Sequence, residues 1–275
     1  METIAFIGGG NMANAILGGL LGAGHAPERL IVVEPNAAQR QILADRFELR
    51  ALAAADASLA DAAVVVWAVK PQVFRAAAAP CREHVGAALH LSVMAGIRSD
   101  AIARAVGSER VVRAMPNTPA LIGQGIAGLF ARPAVTDADR RRVEVVLAAT
   151  GQTLWVDGEA ALDAVTALSG SGPAYVFHLV EAMLEAARLM GLPDDAARRL
   201  AVQTVAGSAA LVAASTESPQ VLRRNVTSPN GTTQAALEVF EARGVKAAVV
   251  EAILAARDRA GTLGDELGQG AGAAG

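Results

Sequence analysis

The first half of the chain alternates between short, unbroken apolar runs and longer stretches with helical spacing. Residues 3–8, 30–34, 63–69, 89–94 and 110–115 are mostly apolar and rich in β-branched residues, more nearly continuous than alternating in apolar character. That pattern predicts strands covered on both faces, hence a parallel sheet, with a helix-length segment between each pair. Two further β-like stretches, 125–131 and 152–156, flank a segment 136–150. There Val143, Val146 and Leu147 recur at helical spacing behind Thr136, a residue suited to cap a helix start. The open α/β sheet is expected to end near Asp157 and Gly158, and no strand is predicted beyond it. Val176, Leu179, Val180, Met183, Leu184 and Ala187 mark a helix that Gly191 stops, and Pro193 opens the next. Residues 196–214 are apolar nearly all the way round apart from Arg198, Arg199 and Gln203, a surface that calls for a partner subunit.

Length and composition narrow the classes that fit this pattern. A chain of 275 residues is suited to two domains. The pattern divides it into an α/β domain over 1–158, an all-α domain over 159–267 and a flexible Gly/Ala tail over 268–275. With 53% hydrophobic residues, 19% charged and a net charge of −3, the chain is neither disordered nor built to neutralise nucleic-acid phosphates. One cysteine, Cys81, excludes a disulfide framework and a cysteine-based zinc site, and no metal is expected. No basic leader and no bilayer-length apolar run stand out, so a cytoplasmic location without a membrane partner is expected. The ligand is expected to be a small molecule.

The chemistry begins at the first strand end, Gly8-Gly9-Gly10-Asn11-Met12-Ala13, a G-x-G-x-x-A turn leading into a helix. Gly8 permits the tight turn, Gly10 lets a pyrophosphate approach, and Ala13 allows close helix–strand packing. This marks the first domain as Rossmann-type and doubly wound, with NADP(H) or NAD(H) as cofactor. Glu34 follows 24 residues after Gly10, at the end of the second strand, where a carboxylate accepts the adenosine ribose hydroxyls and repels a 2′-phosphate, unless Arg40 offsets it. Ala68-Val69-Lys70-Pro71-Gln72 leaves another strand at the ligand-binding edge, although Pro71 is also a normal helix opener and Lys70 an ordinary solvated lysine. Met115-Pro116-Asn117-Thr118-Pro119 reads equally as a rigid turn or as a platform for an amide. Ser169-Gly170-Ser171-Gly172-Pro173 reads as a cap or a close backbone contact. In the helical half, hydroxyl and amide side chains crowd the loop at 225–233 before a helix, more than one N-cap requires, which suits a small anion. His25, His84, His90 and His178 lack a carboxylate at a telling spacing and read as surface or satisfied core residues.

Taken in order, I-G-G-G-N-M-A, A-V-K-P-Q, M-P-N-T-P, L-S-G-S-G-P-A-Y and V-T-S-P-N-G-T-T resemble the Δ1-pyrroline-5-carboxylate reductase family over almost the whole chain. Asn230 departs from the glycine of many members. The resemblance implies NAD(P)H-dependent hydride transfer to the C=N carbon of 1-pyrroline-5-carboxylate, giving L-proline in the last step of proline biosynthesis. It also implies a homodimer, with a larger ring such as a decamer as its extension. By the same resemblance, Thr233 is the catalytic contact to the ring nitrogen, and Ser228, Gly231, Thr232, Thr233 and Glu159 hold the substrate. The cofactor lies on Gly8, Gly9, Gly10, Asn11, Met12, Glu34, Ala68, Val69, Lys70, Pro71, Met94, Ala95 and Asn225. Two other readings compete: a β-hydroxyacid dehydrogenase, which would need a helical catalytic lysine where the second half has only Lys246, and a non-catalytic dinucleotide-binding redox sensor, which would not need the hydroxyl-rich loop.

Overall fold

The computed structural model describes residues 2–269. Eight strands form one sheet: β1 (Thr3–Ile7), β2 (Leu30–Val33), β3 (Ala51–Leu52), β4 (Ala62–Trp67), β5 (Leu89–Ser92), β6 (Val111–Met115), β7 (Gly125–Ala131) and β8 (Gly151–Trp155). Their order is β3-β2-β1-β4-β5-β6-β7-β8. All neighbours run parallel except β6 and β7. The seven stretches read as strands are present, whereas the two-residue β3 carries too little apolar pattern to show in the sequence.

Strand periodicity divides the core in two. Ile4, Phe6, Val32, Val64, Val66, Leu89 and Leu91 point into one buried cluster. Ala5, Ile7, Val33, Val65 and Trp67 point into the other. Both faces are covered, which is why the strands are apolar without alternation. The helix Asn11–Gly22 contributes Ala13, Ile16, Leu17 and Leu20 to the first cluster, at the spacing of one helical face. The helix Asp137–Leu147 starts with a capping box between Thr136 and Asp139.

The chain divides into two compact units, residues 1–171 together with 256 onwards, and residues 172–255. This differs from the expected boundary at 158/159. Residues 159–171 stay with the sheet because Glu159 and Asp163 are hydrogen-bonded to Ser99, Arg113 and Arg98. Residues from 256 rejoin the first unit through contacts such as Leu267, which packs on the second core cluster. The helix Val245–Gln269 continues past the start of the expected tail, and the remainder of that tail, 270–275, lies outside the described residues.

The second unit is helical throughout, with Gly172–Leu189, Asp194–Ala214, Pro219–Asn225, Thr232–Ala242 and the start of Val245–Gln269. Gly191 turns the chain at positive φ, and Pro193 is the N-cap of the following helix. Its buried apolar residues, among the described ones, are three alanines: Ala187, Ala197 and Ala201. By contrast Leu189 is 84% exposed, Phe177 61% and Leu200 58%. A unit of this size without a large buried side chain has no core of its own.

Candidate active site

β1 runs into Gly8, whose φ of +97° is open to glycine at little cost. A Cβ there would lie 2.7 Å from the Ala68 carbonyl oxygen, so the turn after β1 touches the end of β4 backbone to backbone. Gly10 is the N-cap of the helix Asn11–Gly22 and supplies no side-chain acceptor, leaving N–H groups of the first turn free. A Cβ on Gly10 would meet nothing within 4 Å. Open space therefore lies at the positive end of a twelve-residue helix, the concavity that a pyrophosphate fills.

A cavity of about 540 Å³ adjoins this turn, and Gly8, Gly10, Glu34, Ala68, Val69 and Lys70 all line it. Six of the residues expected around a dinucleotide are thus brought together. Gly9 joins them through its N–H, which donates to Glu34 Oε2 at 2.9 Å. Asn11 and Met12 form the first helical turn, Met12 leaning on the core. Pro71 opens the turn Pro71–Val73 and lines a neighbouring hollow with Ile97 and Leu267. The Met94 side chain is buried in the second core cluster, and Ala95 beside it is exposed. Cys81 forms part of the cavity wall, and burial pushes its thiol up to about 11, so it stays protonated and unreactive.

The other candidate residues belong to the second unit. Gly231 is the N-cap of the helix Thr232–Ala242, again without a side-chain cap. Its N–H donates to the Ser228 carbonyl at 3.1 Å, and the Asn230 N–H donates to Gln234 Oε1 at 2.8 Å with Asn230 at φ +58°. Ser228 and Thr232 are exposed and Thr233 half-buried, all at the positive end of an eleven-residue helix. Such a group suits a small anion. Asn225 ends the helix Pro219–Asn225, and its amide donates to Glu217 Oε2 at 3.1 Å.

Glu159 is placed differently from the expectation of a free substrate ligand. Its Oε1 accepts from the Ser99 N–H at 2.6 Å and from Arg113, and its Oε2 accepts from the Ser99 hydroxyl at 2.5 Å. Arg113 is buried, and burial draws its guanidinium below the ordinary value while Glu159 opposes the shift. Both oxygens are therefore engaged inside the first unit. Nothing local in the sequence signals this, because the partners lie 60 and 46 residues away. The two motifs left open by the sequence also meet in this unit. The Asn117 amide donates to the Ser169 carbonyl at 3.2 Å and its oxygen accepts from Ile126 N–H at 3.0 Å. Gly170 leaves room for Met115, whose Cε would lie 2.6 Å from a Cβ at that position. Residues Thr166–Gly170 form a π-helical turn, so the Ser/Gly run widens a helix rather than capping one.

Comparison with known proteins agrees with this arrangement. Residues 159–263 match the family described as pyrroline-5-carboxylate reductase dimerisation, and residues 3–96 match that described as NADP oxidoreductase coenzyme F420-dependent. A pyrroline-5-carboxylate reductase of Pseudomonas aeruginosa is 44% identical over 270 residues, covering 97% of this chain and 98% of its own. One from Haemophilus influenzae is 41% identical, covering 94% and 96%. Among solved structures, a pyrroline-5-carboxylate reductase from Coxiella burnetii superposes with a TM-score of 0.88 at 35% identity, covering 95% of this chain and 98% of its own. A Plasmodium falciparum pyrroline carboxylate reductase with NADP bound gives 0.86 at 28%, covering 96% and 98%. A dinucleotide cradle on a doubly wound sheet, a coreless helical unit and this likeness along the whole length have one explanation: the chain belongs to the pyrroline-5-carboxylate reductase family of NAD(P)H-dependent oxidoreductases.

Proposed function

We propose that this chain reduces the C=N bond of 1-pyrroline-5-carboxylate to give L-proline, the closing step of proline biosynthesis, with its residues in the following roles. The turn at 8–12 holds the cofactor pyrophosphate, Glu34 the adenosine ribose, and the backbone of 68–71 with Ala95 borders the nicotinamide side. Met94 supports that border from within the core. Ser228 and the backbone N–H groups around Gly231 and Thr232, at the start of the helix Thr232–Ala242, hold the substrate carboxylate. Thr233 contacts the ring nitrogen, and Asn225 faces the nicotinamide. Glu159 acts as a positioning residue that ties residue 99 to β6. The functional division follows the family segment from 159, with the helical part carrying both substrate binding and dimerisation.

The observation that carries this reading is the uncapped helix start at Gly231, surrounded by Ser228, Thr232 and Thr233, in a chain whose other uncapped glycine turn adjoins a dinucleotide-sized cavity. When bound, the dihydronicotinamide supplies the hydride that reduces the imine carbon. A protonated imine is already electrophilic, so the protein's contribution is orientation: holding the imine carbon about 3–3.5 Å from the donor and keeping the nitrogen hydrogen-bonded. No catalytic histidine is needed.

Oxidation of NAD(P)H that depends on added pyrroline-5-carboxylate tests the activity. Thr233→Ala is expected to lower kcat/KM by roughly 10–1000-fold, about 1.4–4 kcal/mol, with cofactor affinity near wild type. Unchanged turnover would remove Thr233 from the site. The proposal includes assembly of dimers into a larger ring such as a decamer, which sedimentation velocity measures directly. It also places the enzyme in the cytoplasm without a membrane partner. In support, no helix among the described residues is long and apolar enough to cross a membrane, and the single cysteine suits a reducing compartment.

A further inference from the structure

The peptide of Gly9 is gripped from both sides. Its N–H donates to Glu34 Oε2 at 2.9 Å, and its carbonyl accepts from Gln39 Nε2 at 2.5 Å. The second oxygen of Glu34, Oε1, accepts from the Asn36 N–H at 2.9 Å. The middle residue of a G-x-G turn is ordinarily free to vary. Here a Cβ on Gly9 would come within 2.7 Å of Leu43 Cδ1, so the turn seats directly on the helix Ala37–Phe47 that carries Gln39. The Glu34 carboxylate is thereby fixed on two backbone N–H groups while it lines the cavity beside Pro35.

Two cations could offset that charge. Arg40 donates through Nη1 to the backbone carbonyls of Glu34 and Pro35, at 2.9 and 2.8 Å, and is not among the described residues that line the cavity. Lys70 does line it, but follows β4, two strands across the sheet from β2. The end of β2 therefore offers the cavity a held carboxylate.

We propose that this clasp makes Glu34 the reader of the adenosine ribose and selects NADH over NADPH, with Gln39 a positioning residue that acts through Gly9. The inference rests on the cofactor placement proposed above. A carboxylate accepts hydrogen bonds from both ribose hydroxyls, whereas a 2′-phosphate would bring a dianion against it. Glu34 cannot turn away without releasing two N–H groups. Like charges about 4 Å apart discriminate by roughly 5–1000-fold, depending on how much water separates them.

Titration of the full-length protein with NADH and with NADPH, followed by nicotinamide fluorescence in the absence of substrate, measures the preference as a ratio of dissociation constants. Wild type is expected to bind NADH at least about fivefold more tightly. Glu34→Ser should move the ratio towards NADPH by about tenfold or more. Gln39→Ala should move it the same way in wild type and add nothing in the Glu34→Ser background, since both act on one carboxylate. A Gln39→Ala effect of equal size in both backgrounds would overturn the positioning role. A wild-type preference for NADPH that Glu34→Ser leaves unchanged would overturn the proposal, and the wild-type ratio alone decides if a variant does not fold. Failure of both nucleotides to bind would instead overturn the cofactor placement beneath it.

Discussion

His90 lies fully buried in β5, where its Nδ1 accepts a hydrogen bond from Trp67 Nε1 at 3.2 Å and its ring stacks on the indole. The neutral imidazole is the form this contact uses. Burial, reinforced by Arg110, lowers its pKa from the ordinary 6.5 to about 4. Because the folded value lies below the unfolded one, the stability that the neutral ring contributes is complete above about pH 6.5 and is lost as pH falls towards 4. Denaturant midpoints recorded from pH 7 to 4 should fall across this window. The carbon-bound proton resonances of His90 should show no titration before pH 5, and a midpoint near 6.5 in the folded protein would contradict the account. At this scale the place of Gly8, Gly10 and Glu34 beside one cavity was legible in the sequence, because a tight turn and a close backbone approach demand glycine at a fixed spacing and Glu34 closes the second strand. Gln39 was not, since its partner Gly9 lies 30 residues away and a surface glutamine carries no local signal.

Elements were legible to the extent that burial imposed a period. The longer strands showed as mostly apolar runs, and the helix Asp137–Leu147 as a periodic stretch behind a capping threonine. β3, the π-helical turn at Thr166–Gly170 and the place of Glu159 depend on neighbours distant in sequence, which no periodicity encodes. The capping box gives a test at this scale. Thr136 accepts from the Asp139 N–H at 3.2 Å and Asp139 returns a bond to the Thr136 N–H at 3.1 Å. Thr136→Ala is expected to cost about 1 kcal/mol, read from chemical denaturation. Burial raises the Asp139 carboxyl, but hydrogen bonds from Arg110 and Thr136 outweigh it and hold the pKa at about 2. The folded value is again the lower one, so this contribution is present above about pH 3.8 and is lost as pH falls towards 2. Arg110→Ala should raise the midpoint of acid unfolding.

For the whole molecule, the second unit exposes Phe177, Leu189, Met190, Leu200 and Leu211 while its buried apolar residues, among those described, are alanines, and it lies within the segment that matches the dimerisation family. A second copy covering these side chains would supply a core, as in obligate dimers whose interfaces resemble a domain interior cut in half. Sedimentation at any protein concentration that can be measured is expected to show dimers or larger species. A well-folded monomer at micromolar concentration would contradict this. The need for a partner was already visible in the all-round apolar stretch 196–214, and the order of the motifs carried the family resemblance. The two-unit division was less visible, because the last helix starts in one unit and ends in the other.

That last helix has a consequence for how the protein is made. Leu267 packs against Gly96, and Asp265 lies 3.9 Å from Arg98, which also grips Asp163 at 3.0 Å and donates to the Gly261 carbonyl. All of these residues belong to the first unit, yet part of its clamp follows the second unit in the sequence. A growing chain emerges from the ribosome N-terminus first, at about 5–20 residues per second. The sheet is thus complete in sequence long before residues 261–267 exist, and the contacts of Gly96 and Arg98 with that stretch must wait while the entire second unit is synthesised. Nascent chains arrested at residue 255 should be cut by protease within 94–99, and chains released at full length should resist.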